Sequence, residues 1–600
     1  MFILWIPIFL NGQENGEVRR IKIKGNKSFS KGELMDKIDF TNASWVGKTF
    51  FKKEPSYYSS DAWELNKARL VSFYQMNGFL QVKVELKNLK KISKNYRVDL
   101  TIAIDEGTPV IVRSVFFTGV KGTERDTVLL WEQFQQLKQE LIVKEGSSFR
   151  DDAVRQDQKR ITEWFASRGY AYVEVQPDIS LSSDTLFASI NWLIEKGPLC
   201  RFGEVTIVGN ERVPLKAVEK QITFREGEIY NYKAISQSQK QVYGLGLFRI
   251  ASFQTSLTNP PSDTLAVTVK TEEAPRLSTR VGVGYGLEEH FRTFLEMGYL
   301  SFPGKTMRTK FYAKHSGLEP YRFEAIITQP SIFGPNSSLE FNPSVRQRKE
   351  EGFESFLWGG DLSLYHNFGS RLTGSVSMFY ERVDIEIASD FERSLEDMDQ
   401  STYSKNGFSV GMSFNNSMPK SEPALGWSLA VNAKVNGAIF NSPYPFFKYM
   451  FEGKRFQPVT NGVVLAMRLE AGNIIRFGES EATPVEERFF AGGSRSVRGW
   501  SRYMLGPLDD EGIPLGGNSL LEGSVEPRIK VVGPFSIVLF VDWGNVWSRE
   551  STFRLNEIHW SAGAGFRFAT PIGPVGMDFA RPVFDENSKW QIHLNVGHAF

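Results

Sequence analysis

The stretch F-F-A-G-G-S-R-S-V-R-G-W at residues 489–500 sets two arginines and six small residues between aromatic ends. It is too polar for a core strand and too aromatic for an idle linker. Downstream, residues 519–547 read S-L-L-E-G-S-V-E-P-R-I-K-V-V-G-P-F-S-I-V-L-F-V-D-W-G-N-V-W, two alternating runs broken by Gly533-Pro534. Such a break marks a tight β-hairpin. In the second run Ile537, Leu539, Val541 and Trp543 recur at period two and form one apolar face, so Asp542 points the other way, towards an enclosed side. If the hairpin is symmetric about Pro534, Glu526 and Asp542 stand directly opposite each other, and like charges so placed repel. Arg498 is the candidate cation, because a guanidinium can fork between two carboxylates and keeps its charge when partly buried. Two readings stand: a lock in which a long inward loop is pinned to a wall by Arg498, Glu526 and Asp542, or three solvated charges in a wide polar lumen.

Working outward, everything from Arg276 to the last residue shows strand alternation with turns. The run R-V-G-V-G-Y-G at 280–286 puts Val281, Val283 and Tyr285 on one face and Gly282, Gly284 and Gly286 on the other. No helix follows these glycines, which argues against a nucleotide-binding loop. The final run, K-W-Q-I-H-L-N-V-G-H-A-F, sets Trp590, Ile592, Leu594, Val596 and Phe600 against Gln591, His593, Asn595, Gly597 and Ala599. About 325 residues at about ten per tilted spanning strand, plus connections, allow roughly sixteen antiparallel strands. Long polar connections such as that from Ala388 to Asn406 would then be external loops, and Gly-Pro turns such as Gly334-Pro335 and Gly533-Pro534 would lie at the other rim.

The first part of the chain is one unit used three times. Each copy opens with an alternating strand that ends in glycine: V-R-R-I-K-I-K-G-N at 18–26, V-R-S-V-F-F-T-G at 112–119 and F-G-E-V-T-I-V-G-N at 202–210. Helical stretches follow, the second stopping each time at a glycine beside an aromatic or leucine, and two more strands close the copy. The order β-α-α-β-β predicts a small sheet with helices on one face. The domain limits read as 17–107, 108–198 and 199–274, with the barrel at 275–600.

Ahead of these, residues 1–16 contain M-F-I-L-W-I-P-I-F-L, an apolar run too short to span a bilayer and interrupted by Pro7. It is similar to the apolar part of a secretory leader, without the usual preceding basic residues or an evident small-residue cleavage site. A mean hydropathy of −0.28 beside 13% aromatic residues and 52 glycines suits a β-rich protein whose membrane face uses alternate residues only. The formal net charge of +2 and the lack of a basic stripe give no reason to expect nucleic acid as a partner. A single cysteine, Cys200, excludes an intrachain disulfide framework.

V-R-G-W at 497–500, with Arg498 and Gly499 at its centre, resembles the Val-Arg-Gly-Phe/Tyr loop motif of the BamA/TamA family of outer-membrane assembly proteins. F-V-D-W-G-N-V-W at 540–547 is similar to that family's Phe-x-Asp-x-Gly strand motif, and Trp500 is a mild departure. The three N-terminal units resemble polypeptide-transport-associated (POTRA) domains, and the three-domain layout is closer to TamA than to the longer-armed BamA. The resemblance implies a transmembrane β-barrel of about sixteen strands preceded by three α+β POTRA-like domains, in the bacterial outer membrane with those domains in the periplasm. It implies that the loop arginine meets acidic groups on neighbouring strands, and that the aromatic C-terminus is the signal by which such barrels are themselves inserted. The partners implied are unfolded outer-membrane proteins, the lipid bilayer and a periplasmic or inner-membrane accessory protein.

Two functions follow as expectations. In one, the first strand, near Gly282, Gly284 and Gly286, meets the last, near Gly597 and Phe600, in a weak lateral seam through which clients pass into lipid. In the other, the barrel is a translocation pore for protein, solute or lipid, with the loop as plug. Neither needs a cofactor. The six histidines are scattered, no H-E-x-x-H or G-x-S-x-G motif occurs, and no catalytic role is expected.

Overall fold

The structure is a computed structural model that describes residues 16–40, 56–92, 97–120, 125–387, 401–420, 422–460, 462–478, 482–570, 573–585 and 589–596. The apolar leader run therefore lies outside the described residues, as do Gly597 and Phe600 and most of the expected external loop from Ala388 to Asn406. Two compact units emerge, one of residues 1–206, 223–237 and 253–268 and one of residues 207–222, 238–252 and 269–600.

The N-terminal repeat consists of three small sheets. The first contains β1 (Gly16–Lys24), β2 (Tyr57–Tyr58), β3 (Lys83–Ile92) and β4 (Arg97–Asp105), with α1 (Lys31–Met35) and α2 (Ser60–Met76) between strands. The second contains β5 (Ile111–Thr118), β6 (Glu174–Leu181) and β7 (Phe187–Glu195), with α3 (Arg125–Glu140) and α4 (Asp151–Ala166). The third contains β8 (Arg201–Val208), β9 (Phe248–Thr255) and β10 (Thr264–Glu273), with α5 (Leu215–Glu219) and α6 (Tyr232–Gly244). The orders are β2-β1-β4-β3, β5-β7-β6 and β8-β10-β9, so the last strand of each copy inserts beside the first. In the first two copies that pairing is parallel.

Alternation along β4 explains the core of the first copy: Val98, Leu100, Ile102 and Ile104 are buried and meet Trp63, Leu70 and Tyr74 from one face of α2. The strand-ending glycine has a steric reason. Gly25, Gly119 and Gly209 adopt φ of +88°, +91° and +90°, and a Cβ there would lie 1.9, 2.0 and 2.0 Å from the carbonyl oxygens of Ile104, Ile194 and Thr271. Any side chain would prise the opening strand from its neighbour.

The second unit is dominated by one antiparallel sheet of sixteen strands in chain order. They are β11 (Leu277–Gly286), β12 (His290–Leu300), β13 (Arg308–His315), β14 (Tyr321–Pro330), β15 (Ser337–Glu350), β16 (Phe353–Asn367), β17 (Leu372–Ile387) and β18 (Thr402–Asn415), followed by β19 (Gly426–Asn436), β20 (Phe446–Thr460), β21 (Val463–Arg476), β22 (Ser519–Val532), β23 (Phe535–Trp547), β24 (His559–Thr570), β25 (Gly573–Pro582) and β26 (Gln591–Val596). The sheet curls until β11 and β26 come within 8 Å, Cα to Cα, forming a nearly closed barrel. On β23 the outward Leu539 and Val541 are 47% and 42% exposed, while the inward Phe540 and Asp542 are 3% and 0% exposed. An apolar exterior around a charged interior is the pattern of a barrel solvated by lipid. No helix among the described residues is long and apolar enough to cross a membrane.

Candidate functional site

Between β21 and β22 the chain leaves the wall at residue 477 and rejoins it at residue 518, and its middle turns into the barrel. Val497 and Arg498 are 0% and 1% exposed although they belong to a loop. The Arg498 guanidinium donates from Nε to Asp542 Oδ2 at 2.8 Å, from Nη2 to Asp542 Oδ1 at 2.7 Å and from Nη1 to Glu526 Oε2 at 2.8 Å. Its backbone N–H adds a fourth bond, to Asp542 Oδ2 at 3.1 Å. The planar fork takes Asp542 with two nitrogens and leaves the third for Glu526, a geometry that lysine cannot reproduce.

The strand register differs from the symmetric hairpin expected above. Asp542 pairs with Ser524, not with Glu526, for two reasons that each shift the ladder by one residue: the turn is centred between Gly533 and Pro534, with Val532 opposite Phe535, and a bulge follows between Lys530 and Val532. The two carboxylates still face inward together, since a two-residue displacement preserves the face. The displacement opens room for Ser524, whose hydroxyl donates to Asp542 Oδ1 at 2.6 Å and accepts from Arg498 Nη2 at 3.3 Å.

Sequence reasoning missed the rest of this cluster. Asp578 on β25 lies 3.4 Å from Arg498 Nη1 and is gripped by both terminal nitrogens of Arg567 on β24, at 2.5 and 2.8 Å. Arg528 Nε donates to Glu526 Oε1 at 2.8 Å. Three guanidiniums thus interleave with three carboxylates, and the buried charges cancel. The Arg498 guanidinium also lies over the Phe540 ring, 3.4 Å from its centroid. The inward alternation of Asp578 and Arg567 was readable, but nothing local ties them to a loop roughly eighty residues away. Gly499 has a separate role. A Cβ on it would stand 2.5 Å from Ser561 Cβ and 3.0 Å from Pro582 N, so the loop touches the wall backbone there only because the side chain is absent.

A second charged cluster holds the start of the same loop. Residues Val485–Glu487 form a 3-10 turn, and the Glu487 carboxylate accepts from Lys405 Nζ at 2.7 Å, Lys434 Nζ at 3.0 Å and Lys448 Nζ at 3.2 Å, from three strands. Glu381 lies 3.1 Å from Lys405, and Glu486 lies 3.2 Å from it and accepts from Tyr403 OH at 2.6 Å. Its signal in the sequence was the pair of adjacent carboxylates, Glu486 and Glu487, just ahead of Phe489 and Phe490.

At the proposed seam, Gly282 and Gly284 are less bare than their composition implies. Phe294 and Arg292 from β12 lie over them, 2.1 and 2.9 Å from where a Cβ would stand, while Gly286 faces open space. Val281, Val283 and Tyr285 are exposed on the outer face, as are Trp590 and Ile592. Among the described residues β11 and β26 share no ladder; they are the two ends of the sheet order.

Comparison with known proteins gives the same organisation. The model of the Omp85 superfamily domain matches residues 302–600, and the POTRA model, described as a surface antigen variable number repeat, matches residues 16–107, 110–197 and 200–274. The outer membrane protein assembly factor BamA of Neorickettsia risticii (strain Illinois) is 23% identical over 602 residues, covering 95% of this chain and 76% of that protein. BamA of Neisseria meningitidis serogroup B (strain ATCC BAA-335 / MC58) is 22% identical over 656 residues, covering 98% and 79%. In fold, the crystal structure of BamA from Haemophilus ducreyi lacking POTRA domains 1–3 superposes with a TM-score of 0.61 at 17% identity, over 81% of this chain and 98% of that one. With its repeats and its barrel matched separately and in the same order, the chain belongs to the BamA/TamA family of the Omp85 superfamily.

Proposed function

We propose that this protein is an outer-membrane assembly factor that receives unfolded barrel proteins through its periplasmic POTRA domains and passes them into lipid at the seam between β11 and β26. The observation that carries the reading is the sheet itself: fifteen consecutive neighbours pair as ladders, whereas the first and last strands approach without one among the described residues. Free N–H and C=O groups at such an edge can template an incoming strand, whose own folding supplies the energy. The domain limits 17–107, 108–198 and 199–274, with the barrel from 275, are part of this reading. So are Gly282, Gly284 and Gly286 with Gly597 and Phe600 as seam residues, and Arg498, Gly499, Glu526 and Asp542 as the lock that keeps the loop inside. No catalytic step is required, and an accessory protein bound to the POTRA domains belongs to the same proposal.

The test is reconstitution in liposomes with a urea-unfolded barrel client. Cysteine pairs, one within residues 280–286 and one within 591–596, should stop client folding when oxidised and restore it when reduced. Full activity of the crosslinked form, or large steady conductance without any effect on client folding, would replace this reading with the translocation pore.

A further inference from the structure

The same loop reaches both sides of the seam. On the first-strand side its contact at the seam is Glu288, in the turn that joins β11 to β12, while farther from the seam Arg502 donates to Glu350 of β15 from Nε at 3.2 Å and from Nη2 at 2.9 Å. The Glu288 carboxylate accepts from the Ser494 backbone N–H at 2.8 Å and lies 3.7 Å from Arg502 Nη1. It comes so close to Gly493 that a Cβ there would stand 3.1 Å from Oε1, at a φ of +103°. Burial alone would push the Glu288 carboxyl up, but hydrogen bonds from His593 and Ser494 and the charge of Arg502 outweigh it and hold the group at about 2. The carboxylate is therefore ionised wherever the protein is folded at ordinary pH.

On the last-strand side the contacts are His593 and Gln591 of β26. His593 is 4% exposed, and its Nε2 stands 2.9 Å from the Arg498 carbonyl oxygen, so that nitrogen carries a proton and donates. The Ser501 hydroxyl donates to Gln591 Oε1 at 3.0 Å. Behind β26 the loop is held again, by Gly499 N–H to Ser561 Oγ at 3.2 Å and by Arg498 to Asp578. His593 Nδ1 lies 3.5 Å from Glu288 Oε1, closing the circuit across the gap.

We propose that residues 494–502 act as a staple across the seam, with Glu288 as the pin on the first-strand side and His593 with Gln591 as the pin on the last-strand side. The inference rests on the reading that the seam opens. The asymmetry sets the order of events: the loop meets the β11–β12 turn through one carboxylate, but meets β24, β25 and β26 through several groups. Opening therefore breaks the contacts to Glu288 first, and the loop stays with the last strands. Glu288 is a positioning residue here, acting on the loop and through it on the edge strands.

Spin labels at Val281 and Ile592, both on the exposed outer face, report the seam distance in a Cys200→Ser background of the full-length protein in lipid nanodiscs without client. The wild-type chain should give a single short-distance population. Glu288→Ala should raise a longer-distance population several-fold, and Glu288→Gln, which keeps the shape but loses the attraction to Arg502, should fall between. His593→Ala should have a smaller effect, since Ser501, Gly499 and Arg498 still hold the loop to the last strands. Distances unchanged from wild type in whichever of the two Glu288 variants folds, judged by its heat-dependent gel mobility, would overturn the staple. A seam that opens further while client folding is unaffected would instead leave the staple standing and remove lateral insertion.

Discussion

At the scale of single residues, Arg498 decides how much charge the barrel can bury. Its removal leaves the two guanidiniums of Arg528 and Arg567 against the three carboxylates of Glu526, Asp542 and Asp578, and breaking a buried ion pair from one side costs about 3–5 kcal/mol. Arg498→Ala should therefore lower the temperature at which the folded band disappears in unheated gels, and expose loop residues to protease. Arg498→Lys should recover only part of this, because an ammonium cannot make the two bonds to Asp542 and the third to Glu526 at once. Gly499→Ala should displace the loop while leaving every charge in place, through the clash with Ser561 and Pro582. Equal behaviour of Arg498→Lys and wild type would mean that net charge, not the fork, holds the loop.

At the scale of elements, the inward loop has two anchors that should fail separately. Glu487→Ala takes from Lys405, Lys434 and Lys448 the carboxylate they share, and should free residues 482–490 for labelling while the Arg498 end stays protected. Simultaneous release of both ends would show one cooperative plug. The POTRA-like units carry an element-level device of their own. Glu106 takes the backbone N–H groups of Lys27 and Ser28 and the Tyr74 hydroxyl, and Glu273 takes those of Glu211, Arg212 and Val213. Burial raises each carboxyl, yet these hydrogen bonds outweigh it and hold both below the usual carboxylate range. A depressed folded value stabilises the domain above the unfolded pKa of about 4.3, and that gain is lost as pH falls through the folded value. Hydrogen exchange over residues 16–107 of the full-length protein, corrected for intrinsic rate, should lose protection below about pH 4.3. Glu106→Gln should be less protected at neutral pH and flatter with pH. At the matching place in the second unit stands Lys196, which offers no such carboxylate.

At the scale of the whole molecule, locking the seam with a disulfide should leave fold and heat resistance intact and abolish only client folding. A loss of fold would place the effect in assembly of this barrel itself. The sixteen strands and the three α+β units were legible in advance because both rest on periodicity, which is local: alternate residues face lipid, and a repeated strand-glycine-helix order returns three times. The Arg498 partners Glu526 and Asp542 were legible because they share one hairpin with an unmistakable turn. Asp578, Arg567, the lysine cluster at Glu487 and the Glu288 contact were not, because each joins the loop to a strand that only closure of the sheet brings near.

By itself, then, the chain's alternation of apolar and polar residues settled that the second half is built of strands with one apolar and one polar face, since side-chain direction in a strand depends on nothing beyond parity, while the motifs at 497–500 and 540–547 supplied the likeness to a membrane barrel. Tertiary structure alone decided which inward charges meet. A turn centred between Gly533 and Pro534 and one bulge beyond Lys530 together moved Asp542 from Glu526 to Ser524, and the curvature that brings β26 towards β11 placed Glu288 beside Ser494, 206 positions away in sequence. Register and curvature are properties of all sixteen strands at once, and no window of residues contains them.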